Sequence, residues 1–217
     1  MRLLIATSFL LFVCDLYSQT TTTIVPTASI AATTTASINY KRADSIALSF
    51  QRNKYYFYSE TAQELAETFT TEREKCRAIF RWVANNIKYD YDVMNDYKKD
   101  RVDPLVVYKT KKAVCAGYAS LFQAMCEEAK IKCLYITGEA KPSGIGHAWN
   151  MVKLDGSWYV MDVTWAAGYV SGVMSGSKFT KNFNEEWWMA DYTKAIKTHE
   201  SEDSNWRYYI VGEKENE

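Results

Sequence analysis

The residues that most restrict how this chain can fold are HAWNMVKLDGSWYVMDVTW, His147 to Trp165. Apolar and polar positions alternate along the run, and Asp155-Gly156 interrupts it near the middle. An Asp-Gly pair between alternating runs is a strong signal for a two-residue type I′ hairpin, because both central positions need positive φ. With that turn, Leu154 opposes Ser157, Met151 opposes Val160, Trp149 opposes Asp162 and His147 opposes Thr164. Strand side chains alternate with period two, so His147, Trp149, Asp162 and Thr164 share one face. His147 and Asp162 become diagonal neighbours, with Cα atoms roughly 7–8 Å apart and side chains able to hydrogen-bond. A slip of one residue would send them to opposite faces. Either residue alone has an ordinary reading, the histidine as a satisfied core or surface group and the aspartate as a turn neighbour. Aspartate is nevertheless disfavoured inside strands, which makes Asp162 the more pointed of the two.

Upstream lies KKAVCAGYASLFQAMCEEA, Lys111 to Ala129. Its apolar residues recur at Tyr118, Leu121, Phe122, Met125, Cys126 and Ala129, the spacing of a helix with one buried face. Cys115 stands at the start, one turn before Tyr118, and is expected to point inward. A thiol there meets unpaired backbone N–H groups and the positive end of the helix dipole. With Lys109, Lys111 and Lys112 nearby, these effects favour the thiolate, the reactive form of cysteine. A lone cysteine on a helix is more often a buried structural thiol. What changes that reading is its combination with His147 and Asp162, which together have the parts of a nucleophile, a base and an orienter.

The order Cys, His, Asp, with a helix followed by a sheet, resembles the transglutaminase-like superfamily. VCAGYASLF, GHAWNMV and WYVMDVTW are the matching stretches, spaced as in bacterial transglutaminase-core domains related to the kyphoscoliosis peptidase. CRAIFRWVANNIKYD resembles that family's helix before the active site. THESEDSNWRYY resembles its closing segment, with Glu200 where a proline often follows the histidine. The resemblance runs from about Asp44 to Tyr209. It implies an α+β, papain/transglutaminase-like fold: N-terminal helices, with the nucleophile helix packed on an antiparallel sheet. It also implies Cys115, His147 and Asp162 as catalytic residues, and it is much less specific for substrate.

The chain has 217 residues, 47% of them hydrophobic, enough for one well-packed domain. Lys plus Arg and Asp plus Glu both number 26, so the net charge is zero and nothing favours a nucleic-acid partner. No zinc-ligand, phosphate-loop or calcium-loop spacing is present, so the reading calls for no metal and no cofactor. Residues 1–18 begin MRLLIATSFLLFVC, a basic residue and a short apolar run, and read as a signal peptide cut after Ser18. A lipoprotein signal ending at Cys14 is the alternative, and Val13 before it fits poorly. Residues 19–39, rich in Thr, Ala and Ser, read as a flexible tether, and 40–217 as the domain. The expectation is an exported protein (periplasmic, cell-surface or secreted) with no further membrane segment. Of the cysteines remaining after Cys14, Cys76 reads as core. Cys126 and Cys133 bracket the turn from helix to strand and either pair as a disulfide or stay buried thiols.

Elsewhere, Thr61-Ala-Gln-Glu64 and Thr71-Glu-Arg-Glu74 fit capping boxes opening two helices. The second helix buries Ile79, Trp82, Val83 and Ile87 and is expected beside the Cys115 helix. Tyr55 to Tyr58 reads as a short edge strand or extended lead-in, Lys98 to Lys112 as a loop with a short turn, and AAGYVSGVMSGSKF as a surface loop. Trp187 and Trp188 read as core or cleft wall. His199 has no acid partner that the sequence can place. The chemistry expected is acyl transfer on protein or peptide amides through a Cys115 thioester, peptide hydrolysis first. The alternatives are a crosslinking transglutaminase or deamidase, an arylamine acetyltransferase-like acyl carrier, and a non-catalytic binding module. Besides the Cys115 N–H, a second oxyanion donor is needed, with Trp82, Tyr89 and Trp149 as candidates.

Overall fold

The computed structural model describes residues 39–50, 54–91, 102–171, 178–190, 192–201 and 203. They belong to one compact unit beginning at Asn39. The expected signal peptide and all but the last residue of the expected tether lie outside the described residues. Three helices come first: α1 (Lys41–Ser49), α2 (Tyr58–Glu67) and α3 (Glu72–Asn86). Thr71 caps α3 as expected, its hydroxyl accepting the Glu74 N–H at 3.2 Å. The box expected at Thr61 is displaced. α2 opens instead at Tyr58, where the Glu60 carboxylate accepts the Phe57 N–H at 3.2 Å. Thr61 lies inside that helix and bonds the Tyr108 hydroxyl at 2.7 Å. Tyr55 to Tyr58 therefore forms no strand.

β1 (Lys88–Tyr89) pairs in parallel with β2 (Lys112–Ala113). Between them runs α4 (Pro104–Thr110), where a loop with a short turn was expected. Asp103 makes the helix: its carboxylate accepts the N–H groups of Leu105 and Val106, and Pro104 occupies the first turn, where no N–H is needed. α5 (Cys115–Glu128) follows β2 after one residue. Tyr118, Leu121, Phe122, Met125 and Cys126 are buried along it, the face that the periodicity predicts. Tyr118 donates to the Ile87 carbonyl at 2.6 Å, and Phe122 meets Phe80 edge-on at 5.6 Å, so α5 packs on α3.

β3 (Cys133–Ala140), β4 (Ile145–Leu154), β5 (Ser157–Met161) and β8 (His199–Ser201) form an antiparallel sheet in the order β5-β4-β3-β8. Asp155 and Gly156 both have positive φ, and Leu154 faces Ser157 and Met151 faces Val160, as the hairpin reading requires. The ladder ends at Asn150 opposite Met161. The expected strand does not continue to Trp165, because Asp162 caps α6 (Val163–Ala167), its carboxylate accepting the Trp165 N–H at 3.0 Å. The expected surface loop is a hairpin, β6 (Gly168–Ser171) against β7 (Lys178–Lys181). The Lys181 ammonium donates to the Ala84 and Ile87 carbonyls at the end of α3, anchoring that hairpin. A 3₁₀ turn (Glu185–Trp187) and α7 (Tyr192–Thr198) lead into β8.

The core lies between the helices and the sheet. Trp82, Phe80, Phe122, Leu121, Trp149 and Met151 are fully buried there, each contributing about 1.5–3 kcal/mol relative to exposure. Cys76, Cys126 and Cys133 are buried and all free, so the disulfide alternative gives way to the buried-thiol one. Among the described residues no helix is long and apolar enough to cross a membrane. The architecture is α+β, as the sequence leads one to expect.

Candidate active site

Cys115 is the first residue of α5. The preceding Val114 offers no side-chain cap, so the first-turn amides of the helix must find other partners. The helix comes close to β4 because small residues meet there: Ala116 and Ala119 pack on Ala148. Asn150 locks the seam, its amide donating to the Ala119 and Leu134 carbonyls at 3.1 and 3.2 Å. This places Cys115 on the same cleft wall as His147.

His147 Nε2 lies 2.8 Å from Asp162 Oδ2. The carboxylate is wholly buried and the histidine nearly so, at 0% and 8% exposed. The sequence reading puts both on one strand face. In the structure His147 is on β4 opposite Gly138, and Asp162 is the cap of α6 just past the end of β5. The cap function explains why an aspartate ends this strand. Its Oδ1 accepts the Trp165 amide while Oδ2 faces His147. Trp149 and Trp165 stack near the imidazole at 5.9 and 4.9 Å between centroids.

The electrostatics follow from this packing. Burial disfavours the His147 cation, but the Asp162 charge, its hydrogen bond and the Cys115 sulfur outweigh it and push the imidazole up to about 10. Burial also disfavours the Asp162 charge, and His147 with a second histidine, His199, overcomes this and holds the carboxyl well below its usual range. His199 Nε2 lies 3.2 Å from the same Oδ2. His147, Asp162 and His199 offer ligand atoms within 4.8 Å of one another, the donor types of a zinc site. Both nitrogens, however, meet one carboxylate oxygen at hydrogen-bonding distances of 2.8 and 3.2 Å. Ring protons account for the cluster without an ion.

Cys115 and His147 open onto a cleft of about 520 Å³, walled by Tyr89, Tyr91, Ile145, Trp165, Tyr169 and Trp187 among others. The β1–β2 pairing carries Tyr89 alongside Cys115, with the Asp90 N–H bonded to the Ala113 carbonyl at 2.9 Å. Burial first, then the neighbouring Cys115 and Asp162, keep the Tyr89 phenol protonated far into alkaline pH.

The family model of the transglutaminase-like superfamily matches residues 59–163. Kyphoscoliosis peptidase from Homo sapiens is 32% identical over 158 residues, covering 68% of this chain and 24% of that protein. The chain belongs to the transglutaminase-like superfamily. Hillarin from Drosophila melanogaster is 25% identical over 163 residues, covering 68% of this chain and 19% of that protein. A crystal structure of a TGase is 21% identical, covers 67% of this chain and 36% of that one, and superposes with a TM-score of 0.42. The chain thus spans about a quarter of the length of the curated relatives it matches first.

Within this transglutaminase-like core, the oxyanion candidates separate. Trp82 stacks on Tyr108 at 5.5 Å, away from the cleft, and Trp149 packs on the imidazole. Tyr89 lines the cleft beside Cys115. The residue that sequence reasoning missed is His199, whose acid partner is Asp162. The signal was present in part, as a histidine at the end of a helix-like run. The two lie 37 positions apart in the chain, which leaves no register between them.

Proposed function

We propose that this chain is a cysteine-dependent acyl-transfer enzyme acting on protein or peptide amides, with peptide hydrolysis as its principal outcome. The observation that carries the proposal is the buried His147–Asp162 hydrogen bond beside a cleft whose wall includes both Cys115 and His147. His147 takes or already holds the thiol proton, and Cys115 Sγ attacks the amide carbonyl carbon. The carbonyl oxygen becomes an oxyanion, met by the Cys115 backbone N–H and, as second donor, the Tyr89 hydroxyl. The C–N bond breaks as His147 passes its proton to the leaving amine, leaving a thioester. Water then attacks the thioester, His147 accepts its proton, and the acid departs as Cys115 is regenerated. Asp162 holds the imidazole in the tautomer that presents Nδ1 to sulfur and stabilises its cation. The relative named a peptidase supports hydrolysis over transfer to an amine. Export by way of residues 1–18 would direct the enzyme to envelope or extracellular polypeptides.

Alkylation with iodoacetamide near neutral pH tests the site. Cys115 is expected to label far faster than free cysteine, with the advantage lost on His147→Ala. Labelling at the free-cysteine rate would favour a binding module. Mass spectrometry of a peptide library, with and without an added amine, then separates cleaved peptides from deamidated ones and from amine adducts.

A further inference from the structure

We propose that His199 is a positioning residue for this site, a second hydrogen-bond donor that holds the Asp162 carboxylate in place while His147 gains and loses its proton. The inference rests on the cysteine-enzyme reading above and extends it to a fourth side chain. His199 is completely buried and is absent from the cleft wall, so it acts through Asp162 and touches no substrate. Its Nε2 lies 3.2 Å from Asp162 Oδ2, the oxygen that His147 Nε2 approaches at 2.8 Å. A carboxylate only accepts, so His199 Nε2 must carry a proton. Its Nδ1 lies 2.9 Å from the Thr198 hydroxyl, which can donate to it and so select that tautomer.

The need for such a donor follows from burial. Asp162 is 0% exposed, and among the described residues the Trp165 N–H on Oδ1 is the one backbone donor to its carboxylate. When His147 hands its proton to a leaving group, the carboxylate loses its counter-charge in a site closed to water, where an uncompensated charge is costly. The His199 N–H remains through that step. The ring cannot drift, because Trp149, Trp165 and Trp187 enclose it at 4.7, 4.6 and 5.2 Å. Its backbone is fixed by pairing with Ala140 on β3. That pairing in turn needs Gly138, where a methyl group would overlap the Glu200 carbonyl. The groups facing Asp162 are then His147 on β4, His199 on β8, and the Tyr89 phenol on β1, with Cys115 of α5 beyond His147.

The test compares His199→Phe, which keeps a ring without the donor, with His199→Gln, which keeps an N–H, in the full chain. The readouts are the pH profile of Cys115 alkylation by iodoacetamide and the His147 ring-nitrogen NMR signals. His199→Phe is expected to change the alkylation rate near neutral pH about tenfold, to move the acid limb by about one pH unit, and to shift the His147 Nε2–H resonance. His199→Gln is expected to restore most of the rate and the limb. Equal behaviour of the two variants, or an unmoved His147 resonance in His199→Phe, overturns the positioning role. Loss of alkylation on EDTA treatment with recovery on added Zn²⁺ overturns it in favour of a metal site. Wild-type labelling at the free-cysteine rate overturns the enzyme reading instead, while the resonance still reports on the His199 contact.

Discussion

Asp162 does two jobs with one side chain. One oxygen caps α6 and the other faces two imidazoles, so its substitutions separate shape from charge. Asp162→Asn keeps a good capping residue but exchanges an ionised acceptor for a neutral amide. Stability at neutral pH is expected to fall by about 3 kcal/mol, because the buried imidazole loses its counter-charge, while alkylation of Cys115 and peptide turnover fall by about a hundredfold or more. His147 makes a second expectation, about pH. Its folded-state proton affinity lies above the ordinary 6.5, at about 10, so the folded state binds the proton more tightly than the unfolded chain. The stabilisation is fully present below pH 6.5 and fades as pH rises through about 10. Urea melts should therefore show stability declining over that window, with His147→Gln lacking the decline.

Two elements decide whether these residues meet. β8 lies against β3 only because Gly138 has no side chain. Gly138→Ala is expected to cost about 1–3 kcal/mol of stability and to disturb the His147 ring resonance through loss of the His199 contact, as NMR and chemical denaturation would show. The helical layer has its own fastener. The Arg77 guanidinium, buried on α3, makes paired contacts with Asp44 on α1 and Glu185 at the start of the 3₁₀ turn, at 2.6–2.8 Å, with Tyr40, Phe183 and Trp188 rings around it. Arg77→Ala removes the fork and its packing. It is expected to destabilise the fold by about 3 kcal/mol, less if Glu185, which is 60% exposed, turns fully to water.

At the scale of the molecule, the cleft wall formed by the described residues carries little charge. Among the described residues, His147 is the one ionisable imidazole on a wall otherwise built from aromatic, aliphatic and small polar residues. Ile145, Tyr169 and Val170 stand on its rim, 56%, 53% and 39% exposed. Such a surface favours peptides with large apolar side chains. Ile145→Glu and Val170→Glu are expected to leave thermal stability within about 0.5 kcal/mol and to raise KM several-fold for apolar peptides, with kcat nearly unchanged.

The sequence by itself determined the parts whose cause is local. Asp155-Gly156 dictated the hairpin and its register, the apolar period dictated α5, and motif order pointed to Cys115, His147 and Asp162. It misread the local structure where a cap competed with a periodic pattern. Alternation suggested a strand through Trp165, but Asp162 satisfied an amide and began a helix; Asp103 and Pro104 did the same for α4. What only the tertiary structure decided was the pairing of distant segments. His199 reaches Asp162, and Tyr89 joins Cys115 on one cleft wall, through contacts between strands and helices far apart in the chain. No short-range pattern encodes such contacts, because they are selected by how the core closes.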